Sequence, residues 1–388
     1  MNKIVIKHEI KNRFISFQLL ITAFVMIIVS FTFSSCKNGR TGNFSIEMTL
    51  KAQGKVTDVG MSNTIEIIKK RFTTYGVPEK SVTISFVKDE ISLKVENTDS
   101  PGRLAMLAST TGDLEFWETY EYSDVYNFLE DANKKASLIL YGDDAKKKIY
   151  LDSLKNSKAN VENKKVEDTS SLVSKMNNQK SQSGKDDPIF DEYKIENALF
   201  SILIPNTENV SGKNSLIKEP VVGYAAITDT AQVNKILALT EVKKCFPRNL
   251  IFAWTMQPYD DKKSLLKLLA LKCTSRDGNA VIDGSVITSA KQDMDQTGNA
   301  LITMEMNSEG SRIWKRFTKE NVGKYIAFVF DNYVYSYPLV NGEIPNGHSQ
   351  ISGKFTKEEA EDLSNILTLG KFPYTLKILK SERTETKK

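Results

Sequence analysis

Hydrophobic and polar residues alternate regularly once the apolar N-terminal segment has ended. From Phe44 to Leu50 every second residue is apolar, which predicts a β-strand with one buried face. The next apolar residues recur at helical spacing, and Gly76 follows the last of them as a stop signal. The buried face of this helix is predicted to carry Met61, Ile65, Ile68 and Phe72. The chain therefore starts with a strand and an amphipathic helix.

Two further alternating segments, residues 82–86 and 91–95, flank the charged tripeptide Lys88-Asp89-Glu90 and predict a β-hairpin. Pro101 then opens a short apolar helix, and Leu114 starts another strand. The resulting order, βαββαβ, is that of the ferredoxin-like unit, a common scaffold that specifies no function by itself. We therefore expect an α+β fold whose base domain begins with residues 44–122.

The middle of the chain has a different composition. Residues 152–188 are rich in Lys, Asn, Ser, Asp and Gln and contain few apolar residues. Burial in such a segment cannot offset the entropy lost on ordering it. We predict a variable insertion over residues 123–197, with residues 152–188 disordered.

Strand patterns return in the second half of the chain. Residues 250–256 and 265–272 predict two strands joined by a turn. Asp331 and Asn332 separate two aromatic segments and are suited to a tight hairpin turn. These patterns predict a second α+β domain over residues 198–352.

Two helices in this half carry start signals. Ser308 follows a predicted strand and is suited to capping the helix after it. Thr356 and Glu359 have the spacing of a capping box, in which each side chain bonds the other residue's main chain. The second helix ends before Gly370, and residues 374–379 predict a last strand. Residues 353–388 are expected to return to the base domain and end in a tail.

The N-terminus has the features of an export signal. A basic start is followed by an uncharged run over residues 14–36, which ends in Ser34, Ser35 and Cys36. This pattern predicts a lipoprotein-type signal peptide over residues 1–35, lipidation (palmitate) at Cys36, and a tether over residues 36–43. The alternative is an uncleaved membrane anchor, because about 20 apolar residues span a bilayer. Either way, the rest of the chain would lie in the cell envelope, facing the periplasm, with the choice of membrane left open.

Charge and composition exclude several classes of function. The formal charge of +5 comes largely from basic residues before Cys36, so the remainder is nearly neutral and does not predict nucleic-acid binding. The chain has 2 histidines, and no zinc, haem or other cofactor motif is present in the sequence. No hydrolase, phosphate-loop or metalloprotease motif occurs either. We predict a protein that is not an enzyme and has no metal or cofactor.

Two cysteines follow Cys36, and an even pair in an oxidising compartment is compatible with a disulfide. If residues 250–256 and 265–272 pair as a hairpin, Cys245 and Cys273 fall nearly opposite each other at its open end. The sequence therefore predicts a bond between Cys245 and Cys273.

Three tyrosines are spaced as on one face of a strand: Tyr333, Tyr335 and Tyr337. One interpretation is a half-buried sheet face. The other is a polypeptide-binding face, because aromatic rings bury a large area at low entropic cost. The sequence pattern alone leaves both open.

An ordered series of segments resembles the large periplasmic domain of SecD, as found in fused SecDF proteins. The segments are residues 246–254, 270–272 and 283–287, then Met304, Asn307, Gly310 and Trp314, and finally residues 353–373. The resemblance implies a ferredoxin-like base split by an inserted head domain, with chain crossings and a hinge near Glu121 and Gly353. It also implies binding of unfolded or translocating polypeptide, possible contact with Sec translocon components, and a role in protein export.

The resemblance also has a departure. In the SecD family this domain lies between membrane helices, whereas here no further segment of spanning length follows and Cys36 implies a lipid tether to the bilayer. The proton-driven activity of the family is therefore not carried over. The alternative function is that of an assembly lipoprotein which contacts an envelope complex without binding unfolded chains.

Overall fold

The computed structural model describes residues 44–142, 193–210 and 213–385. These residues form two compact units. The first contains the described residues up to Glu121, Lys218–Val221 and the chain from Asn249 onward, and the second contains those of Tyr122–Ile217 and Val222–Arg248. Cys36, the signal peptide and the segment 152–188 lie outside the described residues.

The strands have the following bounds in chain order: β1 (Phe44–Ala52), β2 (Val82–Val87), β3 (Glu90–Thr98), β4 (Leu114–Thr119), β5 (Ile204–Pro205), β6 (Thr207–Val210), β7 (Lys213–Leu216), β8 (Val221–Ala226), β9 (Leu250–Trp254), β10 (Leu265–Lys272), β11 (Ile282–Asp283), β12 (Ile287–Met294), β13 (Ala300–Met306), β14 (Ile326–Phe330), β15 (Tyr333–Ser336), β16 (His348–Phe355) and β17 (Leu376–Glu385). The α-helices are α1 (Asp58–Tyr75), α2 (Pro101–Ser109), α3 (Tyr122–Tyr141), α4 (Thr230–Leu237), α5 (Thr240–Lys243), α6 (Ser308–Glu320) and α7 (Lys357–Leu369).

A four-stranded antiparallel sheet in the order β17-β1-β3-β2 forms the base. The order is that of a ferredoxin-like unit, and the fold class α+β with a split ferredoxin-like base is confirmed. The assignment of Leu114–Thr119 to this sheet was wrong, because β17 takes the place beside β1 instead. The reason is that β4 pairs along both of its edges with strands that come later in the chain.

The second sheet of the first unit is built around β4. One edge of β4 pairs with β14, and the other pairs first with β11 and then with β10. The strand β15 continues the sheet beyond β14, and β9 pairs with β10 as the sequence predicted. Asp331 and Asn332 form the β14–β15 turn with φ values of 47° and 71°. Two successive positive φ values are typical of a tight hairpin turn.

A third, three-stranded sheet has the order β12-β13-β16. Helix α7 packs along β12, where the Thr368 hydroxyl donates to the Ala290 carbonyl and accepts from the Ala290 N–H. The apolar core of the first unit is continuous, since Leu50 of the base, Phe116 of the second sheet and Ile302 of the third belong to one cluster.

Local start signals were largely correct. The capping box of α7 is present, with Glu359 N–H bonded to Thr356 Oγ1 and Thr356 N–H bonded to Glu359 Oε2. At α6 the cap is one residue earlier than predicted. The side chain of Asn307 accepts from Gly310 N–H at 2.8 Å, and Ser308 is the first helical residue. An amide oxygen at this position satisfies an N–H that the first helical turn leaves free.

The second unit is organised by one buried amide on α3. Asn133 Oδ1 accepts from the main-chain N–H groups of Leu199 and Phe200, and its Nδ2 donates to Asn197. These bonds hold the turn before β5 against the helix. Strands β5 and β8 pair, and β6 and β7 form a hairpin.

The predicted hinge positions have different surroundings. Glu121 is the last residue before the division into units, whereas Gly353 lies inside β16 and away from any such division. The compact units therefore do not coincide with the predicted ranges 123–197, 198–352 and 353–388. Hinge motion at these residues stays a prediction.

Candidate functional site

The three tyrosines of the predicted binding face do not form one exposed surface. Their strand carries a bulge, because Val334 pairs with Val329 and Ser336 with Phe328, which leaves Tyr335 without an opposite residue. Tyr335 packs against Phe330 and Phe355 at ring-centroid distances of 5.5 and 6.2 Å.

Tyr337 has other neighbours. Its hydroxyl accepts from Lys267 Nζ at 2.7 Å, and its ring lies 6.4 Å from that of Tyr325. Burial raises the pKa of Tyr337 to about 12 and lowers the pKa of Lys267. All three tyrosines are half-buried, in line with the first of the two interpretations, and the bulge removes them from one regular strand face. A contribution of individual rings to binding stays a prediction.

An open groove lies beside β16. One of its lining residues is Pro338, which follows Tyr337 in the sequence. The volume of the groove is about 770 Å³, and β12, β13, β14, β16, α6 and the segment 338–344 supply its walls. We refer to it as the β16 groove. All of its lining residues fall between Ser289 and Gln350, within the first unit.

The floor of the β16 groove is apolar and firmly packed. Trp314 of α6 is 2% exposed, and its ring makes an edge-on contact with Phe116 at 5.1 Å. Phe328 and Ile326 from β14 line the groove next to it. The sequence places Trp314 there because α6 is amphipathic, with Gly310, Trp314 and Phe317 on its buried side. The floor is thus preformed.

The segment 338–344 forms one wall and is tied down by hydrogen bonds. Its main chain pairs with the stretch before β14, where Val340 N–H donates to Lys324 O and Gly323 N–H donates to Val340 O. Ile344 N–H donates to the buried Thr318 hydroxyl at 3.0 Å. Leu339 of this wall is 44% exposed. An exposed leucine in a fixed wall gives the groove an apolar rim.

The polar side of the groove consists of residues with ordinary surface interactions. His348 Nδ1 lies 3.9 Å from Glu305 Oε1, and Lys315 Nζ lies 3.3 Å from Glu343 Oε1. All four side chains are at least 33% exposed. Pairs of this kind contribute little to stability. Across the described ranges there is also no group of three or more His, Cys, Asp or Glu residues that could hold a metal ion.

A second cluster in the first unit is polar but closed. The guanidinium of Arg71 on α1 is fully buried and donates to the carbonyls of Leu107, Thr110, Thr111 and Gly370. It also stacks 4.0 Å from the centroid of the Phe372 ring. We call this cluster, together with Asp331 and the loop 110–113, the Arg71 junction.

Asp331 completes the junction from the other side of the loop. Its carboxylate accepts from the N–H groups of Thr111, Gly112 and Asp113 at 2.8 to 3.0 Å. Gly112 has φ 88°, and a Cβ there would lie 2.8 Å from Arg71 Nη2, so both backbone conformation and space require glycine. The junction joins the base to the β14–β15 turn.

Burial dominates the electrostatics of the Arg71 junction. It lowers the pKa of Arg71 to about 9, which leaves the guanidinium protonated at neutral pH. It raises the pKa of Asp331 to about 6, while the N–H donors of the loop and the charge of Arg71 act in the opposite direction. This cluster was not predicted from the sequence. A charged residue three positions after Ile68, on the buried stripe of α1, was the available signal.

The predicted disulfide is absent, and both cysteines are free thiols. The β9–β10 hairpin forms, but Cys273 N–H bonds Asn249 O, so Cys273 stands opposite Asn249. Cys245 lies in the turn that ends α5, where its Sγ donates to Glu241 O at 3.6 Å. The prediction failed because the partner strand starts only after this turn.

Comparisons with known proteins support the resemblance stated above. Residues 270–374 match the family model described as SecDF, P1 head subdomain. The protein translocase subunit SecD of Rhodothermus marinus is 30% identical over 352 residues, which cover 89% of this chain and 49% of that protein. The subunit SecD of Leptotrichia buccalis is 35% identical over 116 residues, 29% of each chain.

A solved structure described as SecDF in a super-membrane-facing form aligns over 96% of this chain and 35% of its own, with a TM-score of 0.44 and 13% identity. The chain thus spans about half the length of the Rhodothermus relative and less of the others. Among the helices that the structure describes, none is long and apolar enough to cross a membrane. The resemblance to the SecD periplasmic domain is confirmed.

Proposed function

We propose that this SecD-like chain binds extended, non-native polypeptide in the β16 groove and acts as a non-enzymatic accessory to protein export. The observation that carries the proposal is the position of the groove. Every residue that lines it lies within 270–374, the stretch similar to the SecDF P1 head subdomain. The relatives are protein translocase subunits, so export is the process in which such a groove would meet unfolded chains.

The physical character of the groove supports a polypeptide ligand. Its floor consists of large apolar side chains, including Trp314 and Phe328, that are already packed by the core. A preformed apolar floor gains affinity for exposed side chains without an ordering cost. Folded proteins bury such side chains, whereas a chain in transit exposes them.

The proposed location is the periplasmic side of the cell envelope, with a lipid at Cys36 as the tether to the bilayer. The test is the substitution Cys36→Ser followed by labelling with radioactive palmitate, which is expected to abolish the label. Equal labelling of both proteins would exclude Cys36 as the site. A mature N-terminus still at Met1 would instead favour the uncleaved anchor.

Photocrosslinking in cells tests the binding function. A photoreactive residue at Leu339, in the groove wall, is expected to capture secretory polypeptides. The matched control is Leu379 on β17, which is similarly exposed, at 48% against 44%, but lies outside the groove. Probes at Tyr333, Tyr335 and Tyr337 measure whether the tyrosine strand contributes, and Phe72 serves as the buried control.

The outcomes separate the two candidate functions. Secretory chains or Sec translocon components captured at Leu339 and not at Leu379 support the proposal. Equal capture at both leucines contradicts a specific groove. Capture of a single envelope protein, together with no affinity of the purified domain for an unfolded chain, would move the assignment to the assembly lipoprotein.

A further inference from the structure

The edge of β16 is open where it borders the groove. The third sheet has the order β12-β13-β16, so β16 pairs on one side only. Thr303 and Met304 are neighbours in β13 and point to opposite faces of the sheet, yet both line the groove. His348, Ser349 and Gln350 of β16 also line the groove, so the sheet edge that borders it is that of β16. The other edge of this sheet, at β12, is covered by α7 through Thr368.

The hydrogen-bond pattern shows which residues of β16 face outward. Met306 N–H donates to Gly347 O, so this opposite pair belongs to the hydrogen-bonded set of the antiparallel ladder. Hydrogen-bonded pairs recur at every second residue of an antiparallel ladder, so Ser349 and Met304 form the next such pair. The main-chain groups of His348 and Gln350 therefore point away from β13, toward the groove.

These outward groups are unpaired in the described part of the chain. No hydrogen bond across the β16 edge involves the N–H or C=O of His348 or Gln350. Both residues are exposed, while Ser349 between them is buried. Such an edge is complementary to an extended main chain, which presents donors and acceptors at the same spacing.

Two other strand edges of the first unit are protected, those of β17 and β12. The edge of β17 carries charged residues, including Lys380, Glu382 and Arg383, which discourage pairing with another chain. At β12 the Ala290 main-chain groups are both bonded by Thr368. The segment His348-Ser349-Gln350 contains no Lys, Arg, Asp, Glu or Pro, and none of the described helices covers it. It lies beside the apolar floor.

Resting on the function proposed above, we infer that the polypeptide binds as an added β-strand along β16, hydrogen-bonded to the main chain of His348 and Gln350. The strand would form about four main-chain hydrogen bonds, two with each residue. Every second side chain of the added strand would then reach the floor at Trp314 and Phe328. Recognition would depend on extended conformation and on alternating apolar residues, with little dependence on a particular sequence.

The test removes one outward N–H without changing the β13–β16 ladder. In Gln350→Pro the missing N–H faces the groove, and proline is tolerated at such edge positions. The matched control Gln350→Ala loses the same side chain but keeps the N–H. Binding is measured by fluorescence anisotropy with a labelled peptide of alternating leucine and threonine residues flanked by lysines. We expect Gln350→Pro to bind about fivefold to tenfold more weakly than Gln350→Ala.

A second measurement leaves the protein unchanged, in case the proline variant fails to fold. Two peptides are N-methylated at alternate residues, one on the even and one on the odd positions. A strand that pairs by one edge loses affinity for only one of the two. Selective loss supports the inference, whereas equal binding of both peptides and of both Gln350 variants overturns it while leaving the groove function intact.

Two further outcomes would have different consequences for the proposed function and for the inference. If the unmodified protein does not bind the parent peptide at all, the proposed function itself fails. If the protein forms a dimer that Gln350→Pro dissociates and the peptide does not, the edge is occupied by a second copy of the chain, and the inference is overturned. Sedimentation velocity of the two Gln350 variants decides this point.

Discussion

The Arg71 junction and the β16 groove both contain main-chain polar groups next to large apolar side chains. The two regions differ in whether the chain itself supplies partners for these groups. In the junction, a guanidinium and a carboxylate satisfy four carbonyls and three N–H groups of neighbouring loops. In the groove, the outward main-chain groups of β16 remain open beside a packed apolar floor. The difference separates a structural joint from a candidate binding site.

This contrast has an energetic reason. Buried polar groups without partners cost about 1–3 kcal/mol each, so a closed junction must supply every partner from within the chain. One group of the junction is still unsatisfied, because Arg71 Nε has no hydrogen-bond partner among the described residues. The outward main-chain groups of β16 at the open groove are solvated and lose nothing until a ligand arrives. Substitutions should therefore affect stability in the junction and binding in the groove.

The largest expected effect is at Arg71. Arg71→Met keeps the side-chain length but leaves the loop carbonyls and the carboxylate of Asp331 without their cation, so the free energy of unfolding should fall by about 3–5 kcal/mol. The matched control is Lys70→Met on the same helix, whose pair with Glu66 is exposed and contributes little to stability. Urea unfolding of both variants checks this. Similar losses in the two would contradict a special role for the junction.

Asp331→Asn should lower the free energy of unfolding by about 1–3 kcal/mol, because an NH2 group replaces one of the two oxygens that accept from three N–H groups. The size of this loss should depend on pH. Burial raises the pKa of Asp331 from 3.8 to about 6 in the folded chain. A raised pKa means that this group stabilises the fold most below about pH 4 and loses that contribution as the pH rises through about 6.

The advantage of the unmodified protein over Asp331→Asn should therefore shrink between pH 4 and pH 7. Asp113→Asn, in the same loop but half-exposed and paired with Lys371 at 3.0 Å, serves as the control. An advantage that grows with pH would mean that the N–H donors and Arg71 outweigh burial and hold the pKa low.

A smaller effect is expected where the groove meets the core. Thr318→Val removes the hydroxyl that accepts from Ile344 N–H, so stability should fall by about 1 kcal/mol and the wall 338–344 should loosen. Hydrogen exchange should then be faster at Ile344 and Val340. Thr303→Val, an equivalent change in the open groove, should leave that exchange unchanged. Equal protection of Ile344 in both variants would show that the hydroxyl does not hold the wall.

The smallest effect on stability belongs to the groove rim. Leu339→Ser should change the free energy of unfolding by no more than about 0.5 kcal/mol, because the side chain is already exposed. It should nevertheless weaken binding of the leucine–threonine peptide by several-fold. Leu379→Ser is the control and should change neither quantity. A rim substitution that lowers stability as much as Thr318→Val would remove the distinction between the two regions.

Features that depend on neighbouring residues were readable from the sequence. The capping box of Thr356 and Glu359, the turn at Asp331 and Asn332, and the stop at Gly76 all form as predicted. These are short-range effects in which a few residues satisfy their own main chain, so no knowledge of the rest of the fold is needed. The series of SecD-like segments, and with it the split α+β fold, was also visible at this level.

Only the tertiary structure decided how these elements combine. The pattern at Leu114–Thr119 predicted a strand but not that its partners would be β10, β11 and β14. The bulge at Tyr335 broke up the tyrosine face, and the β9–β10 register left Cys245 outside the hairpin. The open edge of β16 and the burial of Arg71 depend in the same way on elements far apart in the chain. Strand partners are chosen by burial of apolar surface over the whole unit, and a local pattern gives the face to be buried without naming its partner.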